Sequence, residues 1–377
     1  MNDAASKSAN KSANVRITPE DLEDIATGAT FLGTGGGGDP YIGRLLAMNA
    51  IEEFGMPEIV DPDDLPDDAL IFTIAMLGVP TVLGEKAACG DDIDLAIERL
   101  SQRLGRRPDA LVGIEIGGIN SLLPVMAAAR LGLPLVNADG MGRAFPEIQM
   151  VTFNVYGVSC TPLAVSDDHL TSIIVDTADA KAAEDLVRIA AVHLGCSVIL
   201  SSYPMSGRQL KETAVKGTMT LALGIGRAIV AGRKTGNPVD ALIDYLRTTP
   251  YYNRCKVLFD GKIVDIRRET RQGFSVGTCV LTALDDPDRR MEITFQNEHL
   301  VARENGRVRC IVPDLICLVD RETAEPIPVD GLKYGQRLKV IGTSAAPIMR
   351  TPESLAVFGP RAFGFDEPFV PLEDIED

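Results

Sequence analysis

Leu133-Pro134-Leu135-Val136-Asn137-Ala138-Asp139-Gly140-Met141-Gly142-Arg143-Ala144-Phe145-Pro146-Glu147 runs from a short apolar stretch into a polar, glycine-rich turn. Leu133 to Val136 reads as a buried strand. The turn beyond it holds two carboxylates, one guanidinium and two glycines. The same pattern occurs twice upstream. Ala69 to Ala75 is an apolar run that leads into Leu77-Gly78-Val79-Pro80-Thr81, with Glu85-Lys86 beyond. Ala110 to Ile116 ends in Glu115-Ile116-Gly117-Gly118-Ile119-Asn120. Between these runs, Ile93, Ile97, Leu100 and Leu104 make a helical stripe. Ser121 to Leu131 is a short helix capped by Asn120 or Ser121. Strand and helix alternating on short links imply parallel strands joined by crossovers. Ligands of such sheets sit beyond the carboxyl ends of the strands, so the three turns should converge on one cleft.

The chain has 377 residues, enough for two cores. Its net charge is −16, the opposite of what a nucleic-acid surface wants. Nor does any run approach the ~20 apolar residues that a membrane-spanning helix needs. Residues 1–16 read as a disordered tail: Met1 to Asn14 is rich in Ser, Ala, Asn and Lys, with no apolar core. The seven cysteines are scattered and odd in number, with no Cys-x-x-Cys pair, which suits a reduced, cytoplasmic chain.

Thr18-Pro19-Glu20 opens a helix with Leu22, Ile25, Ala26 and Ala29 on one face. That helix runs into Gly33-Thr34-Gly35-Gly36-Gly37-Gly38-Asp39-Pro40, and Pro40 starts another. Four consecutive glycines at a helix N-terminus let backbone N–H groups approach an anion or a polar ring. Gly-Lys-Ser/Thr is absent, so this is not a Walker loop; a helix precedes it, so it is not a dinucleotide fingerprint. The competing reading is a flexible connector.

Further along, Val151 to Val165 and Leu170 to Val175 read as strands, Ala178 to His193 as a helix, and Ser197 to Ser201 as a strand. Tyr203 to Gly207 reads as a turn. Lys211 to Val230 is mostly helical, and Val239 to Leu246 forms another helix. From Lys256 to Ile341 the pattern changes to short strands with turns, the signature of a sandwich or barrel. The tail after Ala346 reads as an extended arm. The fold expected is therefore α/β: residues 17–167 form a parallel-sheet domain with the main site. Residues 168–377 form a second α+β domain rich in antiparallel strands, helical over 178–247 and β-rich over 252–345.

Several candidate residues have two readings. Glu115 is a site acid or a capping acid. Asp139, just past a strand end, reads first as a site residue. Arg143 and Glu147 could serve the site or pair with each other at i,i+4. Glu85-Lys86 could be an ion pair. Asn297 and Glu298 in Gln296-Asn297-Glu298-His299 could be donor and acid, or a hairpin turn. Asp167-Asp168-His169 invites a metal reading, but adjacent strand residues face opposite ways, so a turn fits better. Cys89 lies in an acidic setting that disfavours a thiolate, and Cys160 reads as core. Only His169, His193 and His299 exist to serve a Ser/His/Asp triad. A carboxylate-rich site could still hold Mg²⁺, and a mixed one Zn²⁺, although no dense ligand motif exists and no cofactor is assigned.

Taken together, residues 33–40, 78–86, 115–120, 138–147 and 295–298 resemble one family. It was long a domain of unknown function, described as hydantoinase/oxoprolinase-like and now associated with S-methyl thiohydantoin desulfurase. The match covers residues 17 to about 365. One departure is visible: the family motif Asp-Gly-Asp-Gly-Met-Gly-Arg is here Asn137-Ala138-Asp139-Gly140-Met141-Gly142-Arg143. The resemblance implies hydrolysis of a five-membered cyclic amide or amidine, with water displacing methanethiol from an S-methylated thiohydantoin. On that chemistry Asp139 is expected to activate water, and Glu115 or Glu147 to donate a proton. The amides of Gly35, Gly36 and Gly37 would hold a ring oxygen. Arg143 would take the substrate carboxylate, with Asp39, Asn120, Asn297 and Glu298 also contacting the ligand. Expected partners are a small cyclic ureide or thiohydantoin and further copies of the chain, with neither nucleic acid nor membrane. The alternatives are a ring-opening hydantoinase-like hydrolase and a non-catalytic small-molecule sensor.

Overall fold

A computed structural model of the chain describes residues 15–38, 40–78, 82, 90–271 and 273–376. The expected tail over Met1–Asn14, and Asp39, Glu85, Lys86 and Cys89, lie outside the described residues.

The strands of the first half are β1 (Val15–Arg16), β2 (Glu58–Val60), β3 (Leu70–Gly78), β4 (Ala110–Gly113), β5 (Leu135–Val136), β6 (Ala138–Asp139), β7 (Leu163–Ser166), β8 (Ser172–Val175), β9 (Ser197–Ser206) and β10 (Val215–Lys216). Eight of them form one sheet, in the order β1-β2-β5-β4-β3-β9-β7-β8. β3 pairs in parallel with β4, β4 with β5 and β5 with β2. This is the parallel core expected from the three apolar runs. The crossover helix Asp91–Leu104 buries Ile93, Ala96, Ile97 and Leu100, carries Asp91, Asp92 and Asp94 in its first turn, and closes on Gly105 at φ 71°. Acids at its start and left-handed glycine at its end are the stops such a helix needs.

On the other side of β3 the sheet turns antiparallel, through β9, β7 and β8. The division expected at residue 167 falls in the turn between β7 and β8, which pair with each other in this sheet. Later helices also belong to this half. Helix Asp21–Leu32 crosses helix Thr218–Thr235 at backbone contact: a Cβ on Gly28 would lie 1.9 Å from the Ala222 carbonyl oxygen, and one on Gly226 would lie 2.0 Å from that of Asp24.

The second sheet contains β11 (Cys255–Arg271), β12 (Phe274–Ala283), β13 (Arg290–Gln296), β14 (Glu298–Glu304), β15 (Arg307–Ile311), β16 (Leu315–Asp320) and β17 (Arg337–Thr343). It is antiparallel throughout, in the order β15-β14-β13-β12-β11-β17-β16. The mixed α/β architecture followed by antiparallel strands is the one expected.

Four local readings need correction. Within Val151 to Val165 only β7 is strand; Thr152–Val155 is a helical turn, and both Thr152 N and Oγ1 donate to Gly140 O. Lys211 to Val230 is interrupted where β10 pairs with β6. Tyr203 to Ser206 continues β9, with the strand bulged where Tyr203 adopts φ 46°. The C-terminal arm contains the helix Pro352–Phe358, which brings the Phe358 ring to 4.8 Å from that of Phe145.

Candidate functional site

The carboxyl ends of β4 and β6 bring two acids together. Glu115 lies just beyond β4 and Asp139 ends β6. Both are buried. Asp139 Oδ2 accepts N–H bonds from Ile116 at 2.9 Å, Met141 at 3.0 Å and Gly142 at 2.7 Å. Tight turning at Gly142, with φ 63°, aims these amides at one oxygen. Asp139 Oδ1 has no partner among the described residues. Thr218 Oγ1 favours the charged form of Asp139 but makes no full hydrogen bond with it. Burial outweighs these stabilising contacts and raises the Asp139 pKa to about 7.

Glu115 is held by an amide rather than by a cation. Asn120 Nδ2 donates to Glu115 Oε1 at 2.6 Å and to Met76 O at 3.1 Å, while Asn120 Oδ1 accepts from Met76 N at 2.7 Å. Both N–H groups of Asn120 and one acceptor site of its oxygen are thus used inside the protein, and they fix the Glu115 carboxyl. Glu115 Oε2 is left without a partner among the described residues. Burial pushes the Glu115 pKa up to about 8, with the nearby Asp139 adding to the rise.

The second sheet reaches this place through the start of β14. Glu298 is buried, with Oε2 unpartnered among the described residues. Burial, then the proximity of Glu115, push its pKa well up, against the pull of Arg143. The glycine loop lies between the two halves. A Cβ on Gly36 would come within 2.0 Å of Glu298 Oε1, and one on Gly37 within 2.8 Å of Gly117 C and O. Gly37 O accepts from Ile119 N and Gly35 O from Val329 N. Among the described residues the amides of Gly37 and Gly38 have no acceptor.

The family models for the two halves of the S-methyl thiohydantoin desulfurase-like (S-Me-THD-like) fold match residues 20–177 (N-terminal domain) and 178–372 (C-terminal domain). The chain belongs to the S-Me-THD-like family. It also resembles a crystal structure of a protein from Chromobacterium violaceum, with a TM-score of 0.80 and 25% sequence identity over 95% of this chain and 100% of that one. No curated protein matches.

Within this S-Me-THD-like chain, three residues expected at the site are occupied elsewhere. Arg143 is fully buried, and all five of its N–H groups are spent. They go to the carbonyls of Ala144, Pro313, Asp314 and His299 and to Thr34 Oγ1. No donor remains for a substrate carboxylate; Arg143 ties the first half to the second. Glu147 does not pair with Arg143. It accepts from Gln149 Nε2 and sits 3.6 Å from Lys181 Nζ, on the outer side of the loop. Asn297, at φ 58°, accepts from Ser275 N at 2.8 Å and is the turn residue of the β13–β14 hairpin. The residue standing for the first acid of the family motif, Asn137, caps a helix: its Oδ1 accepts from Met219 N and Thr220 N.

Two residues beyond the expected site set also contribute. Thr218 opens the helix Thr218–Thr235 beside Asp139. Tyr252 donates to Gly142 O at 2.7 Å from beneath the loop. Neither carries a sequence signal, because each is placed by a long-range contact. Among the described cysteines, burial pushes Cys160 and Cys279 up to about 12 and Cys317 higher still, which disfavours a thiolate at these three. Among the described residues no three His, Cys, Asp or Glu side chains are arranged to hold a metal ion, and no helix is long and apolar enough to cross a membrane.

Proposed function

We propose that the protein hydrolyses a five-membered cyclic amidine, with water displacing methanethiol from an S-methyl thiohydantoin to leave a hydantoin. The observation that carries this is the paired arrangement of Asp139 and Glu115. Each is buried, each has one oxygen unpartnered, and their pKa values are raised to about 7 and about 8.

A carboxylate near pH 7 can take a proton from water, and a carboxyl near 8 can still give one at that pH. Asp139 Oδ1 removes a proton as the water oxygen bonds to the carbon bearing sulfur. The C=N pair moves to the ring nitrogen, which takes the Glu115 proton. The tetrahedral carbon then forms C=O and expels the thiolate. Its hydroxyl proton returns to Glu115, and Asp139 gives the first proton to sulfur, so that methanethiol leaves and both acids are restored. Gly37 and Gly38 N–H groups would stabilise a ring oxygen.

Incubating the protein with an S-methyl thiohydantoin and following thiol release with a chromogenic disulfide tests the reading. Release dependent on Asp139 is expected. Ring opening without thiol release would favour a hydantoinase-like reaction, and tight binding without turnover would favour a sensor.

We also infer that the chain works as a homo-oligomer. Support comes from the edge strand β8 and the neighbouring helix Ala180–His193, which expose Ile173, Ile174, Leu186, Ile189 and Val192.

A further inference from the structure

We propose that His299 is a substrate-positioning residue whose Nε2 accepts a hydrogen bond from a ring N–H of a neutral, planar cyclic ureide or amidine. The proposal rests on the hydrolase reading above and adds the contact that orients the ring. His299 Nδ1 lies 2.9 Å from the carbonyl oxygen of Ile316. A carbonyl can only accept, so Nδ1 carries the hydrogen and Nε2 presents a bare lone pair. That nitrogen is fully buried and has no partner among the described residues. Leaving a buried acceptor unpaired is costly, and an apolar side chain would avoid the cost. The bare nitrogen is an acceptor available to a ligand donor.

The position of the ring strengthens the case. His299 N donates to Thr34 O at 2.7 Å, and His299 O accepts from Arg143 Nη2 at 3.1 Å, so the residue is pinned on both sides. Its ring lies against the glycine loop: a Cβ on Gly35 would come within 2.6 Å of Cε1 and 2.9 Å of Nε2. Adjacent residues on a flat strand face opposite ways. Here the hairpin turn at Asn297, φ 58°, and the irregular register beside it let Glu298 and His299 address Gly36 and Gly35 in succession. Burial, with Arg143 adding to it, lowers the His299 pKa to about 4, so near neutral pH the imidazole is an acceptor and not a cation. It suits an N–H group and not a carboxylate.

The test uses hydantoin as the probe. The other two histidines, His169 and His193, are exposed, so the His299 ring can be told apart in nitrogen-15 spectra of the wild-type protein. Adding hydantoin should shift the pyridine-type Nε2 resonance upfield. Calorimetry should show His299→Phe binding hydantoin roughly tenfold or more weakly, the loss expected for one buried hydrogen bond. His299→Gln, which keeps an acceptor, should recover part of the affinity. An unmoved Nε2 resonance in a protein that binds hydantoin would overturn the proposal. So would a folded His299→Phe with wild-type affinity, or wild-type protein that does not bind the probe. The hydrolase reading is judged separately, by thiol release from wild-type protein.

Discussion

Asp139 gives one oxygen to three backbone amides and keeps the other bare, so a substitution can separate its structural and chemical roles. Asp139→Asn retains an oxygen for those amides and removes the base. Turnover should fall by roughly 10²–10⁴ while the folded state survives, as steady-state kinetics and circular dichroism would show. The pH profile follows from the same pair. Asp139 must be ionised, above about 7, and Glu115 protonated, below about 8, so kcat/KM should be a narrow bell centred between them. A flat profile from pH 6 to 9 would contradict this assignment. Stability moves the other way from base activation. Both carboxyls have folded pKa values above their ordinary 3.8 and 4.5, so the native state holds protons that the unfolded chain releases. Their contribution is fully favourable below about 4 and is lost as pH rises through 7 and 8. The slope is at most ~1.4 kcal/mol per pH unit for each group. Glu115→Gln should therefore lose less stability than wild type between pH 5.5 and 8.5 in urea unfolding. His299 escaped sequence reading because a lone histidine carries no sign of a bare nitrogen. Arg143 was misplaced for a related reason: its acceptors, mostly carbonyls, lie up to 171 residues away.

At the scale of elements, the glycine loop meets two kinds of neighbour. Gly36 faces the far end of the flexible Glu298 side chain, whereas Gly118, at φ 60°, faces backbone, with Gly37 O 2.1 Å from where its Cβ would sit. Gly36→Ala should displace the Glu298 carboxyl and lower turnover several-fold, with only a small change in melting temperature. Gly118→Ala should destabilise the whole protein, because neither its backbone angle nor its neighbour can yield. Thermal unfolding of the two variants checks the contrast; equal destabilisation would contradict it. The loop itself was legible from four consecutive glycines, and the parallel strands were legible from apolar runs ending in glycine turns. What those glycines approach was not, because Glu298 and Gly117 are distant in sequence. The antiparallel additions β9, β7 and β8 were hidden for the same reason: strand character can be read from periodicity, but a strand's partner cannot.

The whole molecule sets an apolar edge against a large like charge. β8 ends its sheet, and Ile173 and Ile174, which point to opposite faces of that strand, are both exposed. On the nearby helix, Leu186, Ile189 and Val192 are 51%, 63% and 65% exposed. A strand edge unpaired among the described residues and flanked by such side chains invites another strand, and a second copy can supply one by twofold antiparallel pairing. Each copy carries a net charge of −16, so long-range repulsion opposes the association that apolar burial favours. Salt screens the first effect and leaves the second, with a Debye length falling to about 3 Å at 1 M. Sedimentation should therefore show tighter self-association at high ionic strength. Ile189→Lys combined with Val192→Lys should yield monomers at protein concentrations where the wild type is dimeric. A wild type that stays monomeric at all salt concentrations, or a dimer indifferent to the double substitution, would place the interface elsewhere or remove it.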